Sequence, residues 1–143
     1  MKVHDVLASK GSSEVFTIAP DATVSELLDL LAELNVGALI VSRDGSTLDG
    51  IVSERDIVRK LRGTTNARET PVADIMTTDV RACAPDDSFT ELMGLRTEHR
   101  IRHVPVLDGD QVVGVLSIGD AVKQRMTQLE FERDQLTSYV AGG

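Results

Sequence analysis

Gly50-Ile51-Val52-Ser53-Glu54-Arg55-Asp56 decides how this chain reads, because the sequence writes it again as Gly114-Val115-Leu116-Ser117-Ile118-Gly119-Asp120. Each copy is a glycine, two apolar residues that read as the end of a buried strand, and Ser-x-x-Asp opening a helical pattern. Such a corner has two readings. Ser at the N-cap with an acid at N3 is close to a capping box and would stabilise any helix. Alternatively, the hydroxyl and carboxylate bind the diol of a ribose while the N–H groups of the first helical turn face an anion. The duplicated context raises the second reading above an ordinary cap.

Working outward, the duplication runs along most of the chain. Val3-His4-Asp5-Val6-Leu7 resembles Val72-Ala73-Asp74-Ile75-Met76, and Ala19-Pro20-Asp21 matches Ala84-Pro85-Asp86. The offset drifts from 69 to 65 to 64 residues between these pairs and the Ser-x-x-Asp corners, as loop deletions would produce. Residues 1–63 form the first copy, 64–70 a polar linker, 71–125 the second copy and 126–143 a helical extension. A unit of roughly 60 residues is too small to bury a sufficient core alone.

Within the first copy, a short helix near Val3–Leu7 precedes a strand over Glu14–Ile18 and a turn at Pro20-Asp21. Thr23-Val24-Ser25-Glu26 reads as a capping box opening a helix with Val24, Leu27, Leu28, Leu31 and Leu34 on one face. Gly37 falls where a left-handed residue would end it. Ala38–Ser42 reads as a strand buried on both faces, and Asp44-Gly45 turns the chain into a second strand, Leu48–Val52. The helix after Asp56 carries Ile57, Val58 and Leu61 among Arg59, Lys60 and Arg62.

The second copy repeats this order. Arg81–Ala84 is its first strand, Ser88-Phe89-Thr90-Glu91 its capping box with Phe89, Leu92 and Met93 inward, and His103–Leu107, Asp108-Gly109 and Gln111–Leu116 its hairpin. From Gly119 the pattern is helical almost to the end. Val122, Met126, Leu129, Leu136 and Val140 only partly keep a helical spacing. This helix either packs on a partner subunit or caps its own core.

Bulk properties narrow the function class. In 143 residues, 41% are apolar and 3% aromatic with no Trp, so the core must be Val, Leu, Ile and Ala. A formal charge of −8 argues against general nucleic-acid or anionic-membrane binding. Apolar runs such as Gly37–Val41 are too short to span a bilayer, and no signal peptide is legible, which reads as cytoplasmic. Cys83 is the single cysteine, expected as a small buried apolar residue, so no internal disulfide or cysteine metal cluster is available.

The order helix, strand, helix, strand, strand, helix, with Gly-h-h-Ser-x-x-Asp (h apolar) closing the hairpin, resembles the CBS domain, named after cystathionine β-synthase. Two copies in tandem look like a Bateman module. The second copy is the nearer match: His99-Arg100-Ile101-Arg102-His103-Val104-Pro105-Val106, then Val113-Gly114-Val115-Leu116-Ser117-Ile118-Gly119-Asp120. The resemblance covers residues 1 to about 125.

The resemblance implies an α+β fold: two β-α-β-β-α units related by a pseudo-twofold and packed through their sheets, here with an added C-terminal helix. It implies clefts that take AMP, ADP, ATP, NAD or S-adenosylmethionine, with no metal required. Carried over by position, Ser53 with Asp56 and Ser117 with Asp120 would bind ribose hydroxyls. Backbone around Val15–Thr17 and Val36–Ala38, and around Arg81–Cys83 and Ile101–His103, would hold adenine, and Arg55 would reach the phosphate. Charge-assisted hydrogen bonds from a diol to a carboxylate, an apolar slot for the base and bidentate Arg for phosphate suit those roles. The copies differ, because Gly119 replaces the equivalent of Arg55 and Val104-Pro105 stands where the first copy has Leu39-Ile40.

The implied role is a non-catalytic sensor of energy or nucleotide state, a homodimer built as a disc of four CBS units, acting on a separate effector protein. The competing reading is a structural or protein-interaction module without ligand. An enzyme is disfavoured because no nucleophile–base–orienter set is visible. His99 and His103, four apart, would suit a metal on a helix, but Arg102-His103-Val104-Pro105 reads as a strand.

Overall fold

The computed structural model describes residues 1–9, 15–99 and 102–142. The first unit holds α2 (Val24–Leu34), β1 (Thr17–Ile18), β2 (Ala38–Val41), β3 (Gly50–Ser53) and α3 (Glu54–Lys60). β1 pairs parallel with β2, and β2 antiparallel with β3. The second unit holds α4 (Phe89–His99), β4 (His103–Asp108), β5 (Gln111–Ser117) and α5 (Ile118–Gly142), with β4 and β5 antiparallel. α1 (Val3–Ser9) precedes both units, and its counterpart in the repeat is a single 3-10 turn at Val72–Asp74.

These two leading segments cross over. Val3 and Val6 of α1 pack with Cys83, Phe89, Val104, Val106 and Leu116, the core of the second unit. Val72 and Ile75 pack with Val24, Leu27, Leu39 and Val52, the core of the first. Matching backbone bonds fix both crossings. Val3 N–H donates to Asp87 O and His4 N–H to Pro85 O, as Val72 N–H does to Ala22 O and Ala73 N–H to Pro20 O. Each unit therefore buries its apolar face only by borrowing from the other, which answers the shortage of core expected of a short repeat.

The crossing also explains the glycine that opens each motif. A Cβ on Gly50 would lie 2.7 Å from the Thr77 carbonyl oxygen, and one on Gly114 2.7 Å from Leu7 Cδ2. Thr77 is locked there by reciprocal bonds with Ile51, at 2.8 and 3.0 Å. The glycine is thus a close-approach position for the segment arriving from the other unit.

Several expectations need correction. The strand expected over Arg81–Ala84 contracts to one parallel bridge, Cys83 with Val106, because only Cys83 exchanges hydrogen bonds with β4, its N–H to Pro105 O and its O from Leu107 N–H. Of the strand expected over Glu14–Ile18, Thr17–Ile18 forms, and Glu14 lies outside the described residues. The strand expected over Leu48–Val52 begins at Gly50 and runs on to Ser53, where pairing with Val41 through Ala38 keeps it. Helix α2 ends on Asn35, not Gly37: Asn35 takes the left-handed conformation (φ 54°) and donates to Ala32 O and Leu31 O. Asn is the residue besides Gly that visits this region most readily. Leu28 is exposed, since the buried arc of α2 runs through Val24, Leu27 and Leu31 and leaves Leu28 at its edge.

The capping box at Thr23 forms in full, with Glu26 N–H to Thr23 Oγ1 at 3.2 Å and Thr23 N–H to Glu26 Oε2 at 3.3 Å. Ser88 accepts from Glu91 N–H at 3.3 Å. Cys83 is buried, and burial, aided by the Asp87 charge, pushes its thiol up to about 11, so it stays protonated at neutral pH.

Candidate functional site

Side-chain alternation along β2 builds the site. Leu39 and Val41 face the helices of the first unit, while Ala38 and Ile40 face away from them. Ile40, itself fully buried, joins Ala38 and Ile51 in lining a cleft of about 540 Å³ between the two units. This volume falls in the range of small-molecule sites.

The cleft draws on both halves of the repeat. Val15, Phe16, Asn35, Val36, Gly37 and Ala38 come from the first unit, and His103, Val113, Gly114, Val115 and Ser117 from the second. Leu7 and Ala8 of the crossing helix complete it. Residues of the first unit thus meet Ser117 from the Ser-x-x-Asp corner of the second, so five anticipated residues line this cleft: Val15, Val36, Ala38, His103 and Ser117. Thr17, Ser53, Arg55, Asp56, Arg81 and Asp120 are not on this lining. Ile101 lies outside the described residues. Phe16 was missed because an apolar residue beside a short strand carries no signal of its own; here it is 40% exposed at the cleft. Leu7 and Ala8 were missed because the crossing of α1 leaves no local pattern.

Both serine–aspartate corners have the same internal geometry. Ser53 N–H and Oγ–H donate to Asp56 Oδ2 at 2.9 and 3.2 Å, and Asp56 N–H returns a bond to Ser53 Oγ at 3.3 Å. Ser117 and Asp120 repeat these contacts at 2.8, 3.1 and 3.4 Å. The capping reading is therefore real at both corners. It occupies one carboxylate oxygen, Oδ2, and turns the Ser117 side chain along the cleft. The other oxygen of Asp56 lies 3.3 Å from Lys60 Nζ, which also donates to Ile75 O at 2.8 Å. Position 124, the repeat equivalent of Lys60, is Gln.

Charge separates the two sides of the pseudo-twofold. Among the described residues the cleft is lined by no Lys, Arg, Asp or Glu. By the repeat offsets, its Phe16 and Gly37, and Gly119 at its corner, correspond to Arg81, Arg102 and Arg55, whereas His103, the equivalent of Ala38, lines this same cleft. The related side is accordingly cationic. Arg102 and then Arg59, with a smaller contribution from desolvation, lower the pKa of Arg55, which places guanidiniums from both units close together. Among the described residues no carboxylate forms an ion pair with Arg55 or Arg59. Guanidiniums that repel one another are an arrangement that an anion relieves.

No described helix is long and apolar enough to cross a membrane, and no group of three or more His, Cys, Asp or Glu suited to a metal occurs among the described residues.

Comparison with known proteins agrees with this architecture. The CBS domain family model matches twice, at residues 3–63 and 72–126. The "CBS domain-containing protein CBSX3, mitochondrial" of Arabidopsis thaliana is 35% identical over 150 residues, covering 99% of this chain and 72% of that protein. The crystal structure of the CBS domain protein NE2398 superposes with a TM-score of 0.83 at 39% identity, over 88% of this chain and 98% of that one. A more distant pair shares the fold at a TM-score of 0.78 and 22% identity, over 90% of this chain and 98% of its own. This is the CBS domain pair of protein MJ0100, solved with 5'-methylthioadenosine and S-adenosyl-L-methionine. Two family matches, crossed leading segments and paired serine–aspartate corners converge on one conclusion: this chain belongs to the CBS-domain family, as a tandem pair.

Proposed function

We propose that this CBS pair is a non-catalytic regulatory module that binds adenosine-containing ligands and reports nucleotide or energy state to a separate effector protein. The observation that carries the proposal is the construction of the cleft: an apolar slot from one unit closed by the serine–aspartate corner of the other. In the neutral cleft, Val15, Val36 and Ala38 hold adenine with Thr17 beyond the lining, Phe16 stacks on the base, and Ser117, backed by Asp120, takes the ribose. On the cationic side, Arg81 and Ile101 serve the base, Ser53 and Asp56 the ribose, and Arg55 the phosphate of AMP, ADP, ATP or NAD, while His103, also expected to serve the base, lies on the neutral cleft. The methylthioadenosine held by the MJ0100 pair is an uncharged adenosine ligand, compatible with a neutral cleft of this kind. Ligand binding across both units favours one arrangement of a homodimeric disc of four CBS units in the cytoplasm, which requires only different affinity for two states.

Calorimetric titration with AMP, NAD and 5'-methylthioadenosine tests this. Binding is expected, and Asp56→Ala and Asp120→Ala each weaken it at their own side by about 1.5–3 kcal/mol, the range for a hydrogen bond to a charged group. Absence of heat and of thermal shift at millimolar ligand would leave the protein-interaction module as the correct reading. If both variants bind like the parent, the ribose assignment is wrong.

A further inference from the structure

Helix α5 runs for 25 residues from the end of β5, far past the second unit, and every residue from Arg125 to Gly142 is exposed. A helix this wet, with little alanine, is marginal in water unless something covers one face. Val122, Met126, Leu129, Arg133, Leu136 and Val140 follow one another at spacings of four, three, four, three and four. That is an unbroken heptad seam with a single polar member, and Val122, Met126, Leu129, Leu136 and Val140 are all exposed large apolar residues. Six successive positions on one narrow stripe match a coiled-coil a/d pattern, not the broad stripe of a helix lying on a globular core.

We propose that this seam is an interface between two copies of the chain, forming a parallel two-stranded coiled coil. The flanking charges choose the partner and its direction. With Met126, Arg133 and Val140 at a and Val122, Leu129 and Leu136 at d, Arg125 and Glu132 occupy g, and Lys123 and Glu130 occupy e. In a parallel in-register pair, Arg125 of each copy meets Glu130 of the other, and Arg133 lies beside the other copy's Glu132. In the antiparallel pair with full overlap, Glu130 would face Glu130 and Glu132 would face Glu132. Self-complementarity therefore selects a second copy in parallel, and the lone Arg133 fixes the register at a cost in stability. This rests on the homodimer reading above only for the number of copies.

Sedimentation of the full chain and cysteine cross-linking test it. Wild type is expected to be dimeric, and Leu129→Glu with Leu136→Glu, both on the solvent-facing stretch, raises the dimer dissociation constant at least ~100-fold. Leu136→Cys should form a disulfide-linked dimer on oxidation, because d positions of a parallel pair face one another, whereas Phe131→Cys on the opposite face should not. Cys83 is buried and does not compete. A double variant that stays as dimeric as the parent overturns the seam and leaves the disc standing; a monomeric wild type overturns both. A dimer in which Leu136→Cys fails to cross-link, or Phe131→Cys cross-links equally, overturns the parallel pairing.

Discussion

The two sides of the pseudo-twofold share one corner geometry and differ in charge, one neutral and the other cationic. Their serine–aspartate corners superimpose contact for contact, within about 0.1 Å in each hydrogen bond. Yet three equivalent positions carry Phe16, Gly37 and Gly119 on one side and Arg81, Arg102 and Arg55 on the other. A duplicated scaffold keeps the residues that fold it, the caps and close-approach glycines. It lets the charge around those caps diverge. Symmetry of the fold therefore does not imply equivalence of the sites.

The largest effect that sharpens this comparison concerns the glycines. Gly50→Ala drives a methyl against the locked Thr77 carbonyl, whereas Gly114→Ala meets only the movable end of Leu7. We expect the first to cost about 3 kcal/mol and the second about 1 kcal/mol in urea unfolding, the span reported by overpacked cores. Equal costs would mean that the two crossings are equally soft.

Next comes the cationic side. Arg55→Ala should weaken AMP binding while leaving 5'-methylthioadenosine unchanged. Equal losses for both ligands would erase the distinction between the clefts. The reverse substitution is a smaller effect. Gly119 has no strained backbone, and a Cβ there meets only Ser117 Oγ at 3.6 Å. Gly119→Arg should therefore be tolerated and should strengthen AMP binding at the neutral side by about 1 kcal/mol, measured by calorimetry in an Arg55→Ala background. The smallest effect is ionic strength. Raising salt from 50 to 200 mM should weaken AMP binding a few-fold and barely alter methylthioadenosine, because exposed guanidiniums are screened and an uncharged slot is not.

How legible this was in the sequence depends on how local each determinant is. The repeat order, the helix opened by Thr23 and Glu26, the hairpin at Asp108-Gly109 and the corners at Ser53 and Ser117 are all written within a few residues, and they could be read. The exchange of Val3 and Val6 for Val72 and Ile75 could not. Each segment has the same apolar pattern whichever core it enters, and only long-range backbone bonds decide. For the same reason no local pattern tells that Val15, Val36 and Ala38 would meet Ser117 and not Ser53 across the cleft. Arg55 and Arg102 stand 47 positions apart in the chain, and nothing local announces that their charges meet.

The crossed leading segments carry a practical consequence. Cleaving the chain within residues 64–70 would not release two autonomous halves. The amino-terminal fragment would keep the plug belonging to its sister and lack the one it needs, and the carboxy-terminal fragment would suffer the converse loss. Expressed separately, the fragments should be insoluble or unfolded, yet mixed together they should reassemble into one body. That makes this chain a natural starting point for a split-protein reporter whose complementation is sealed from both ends.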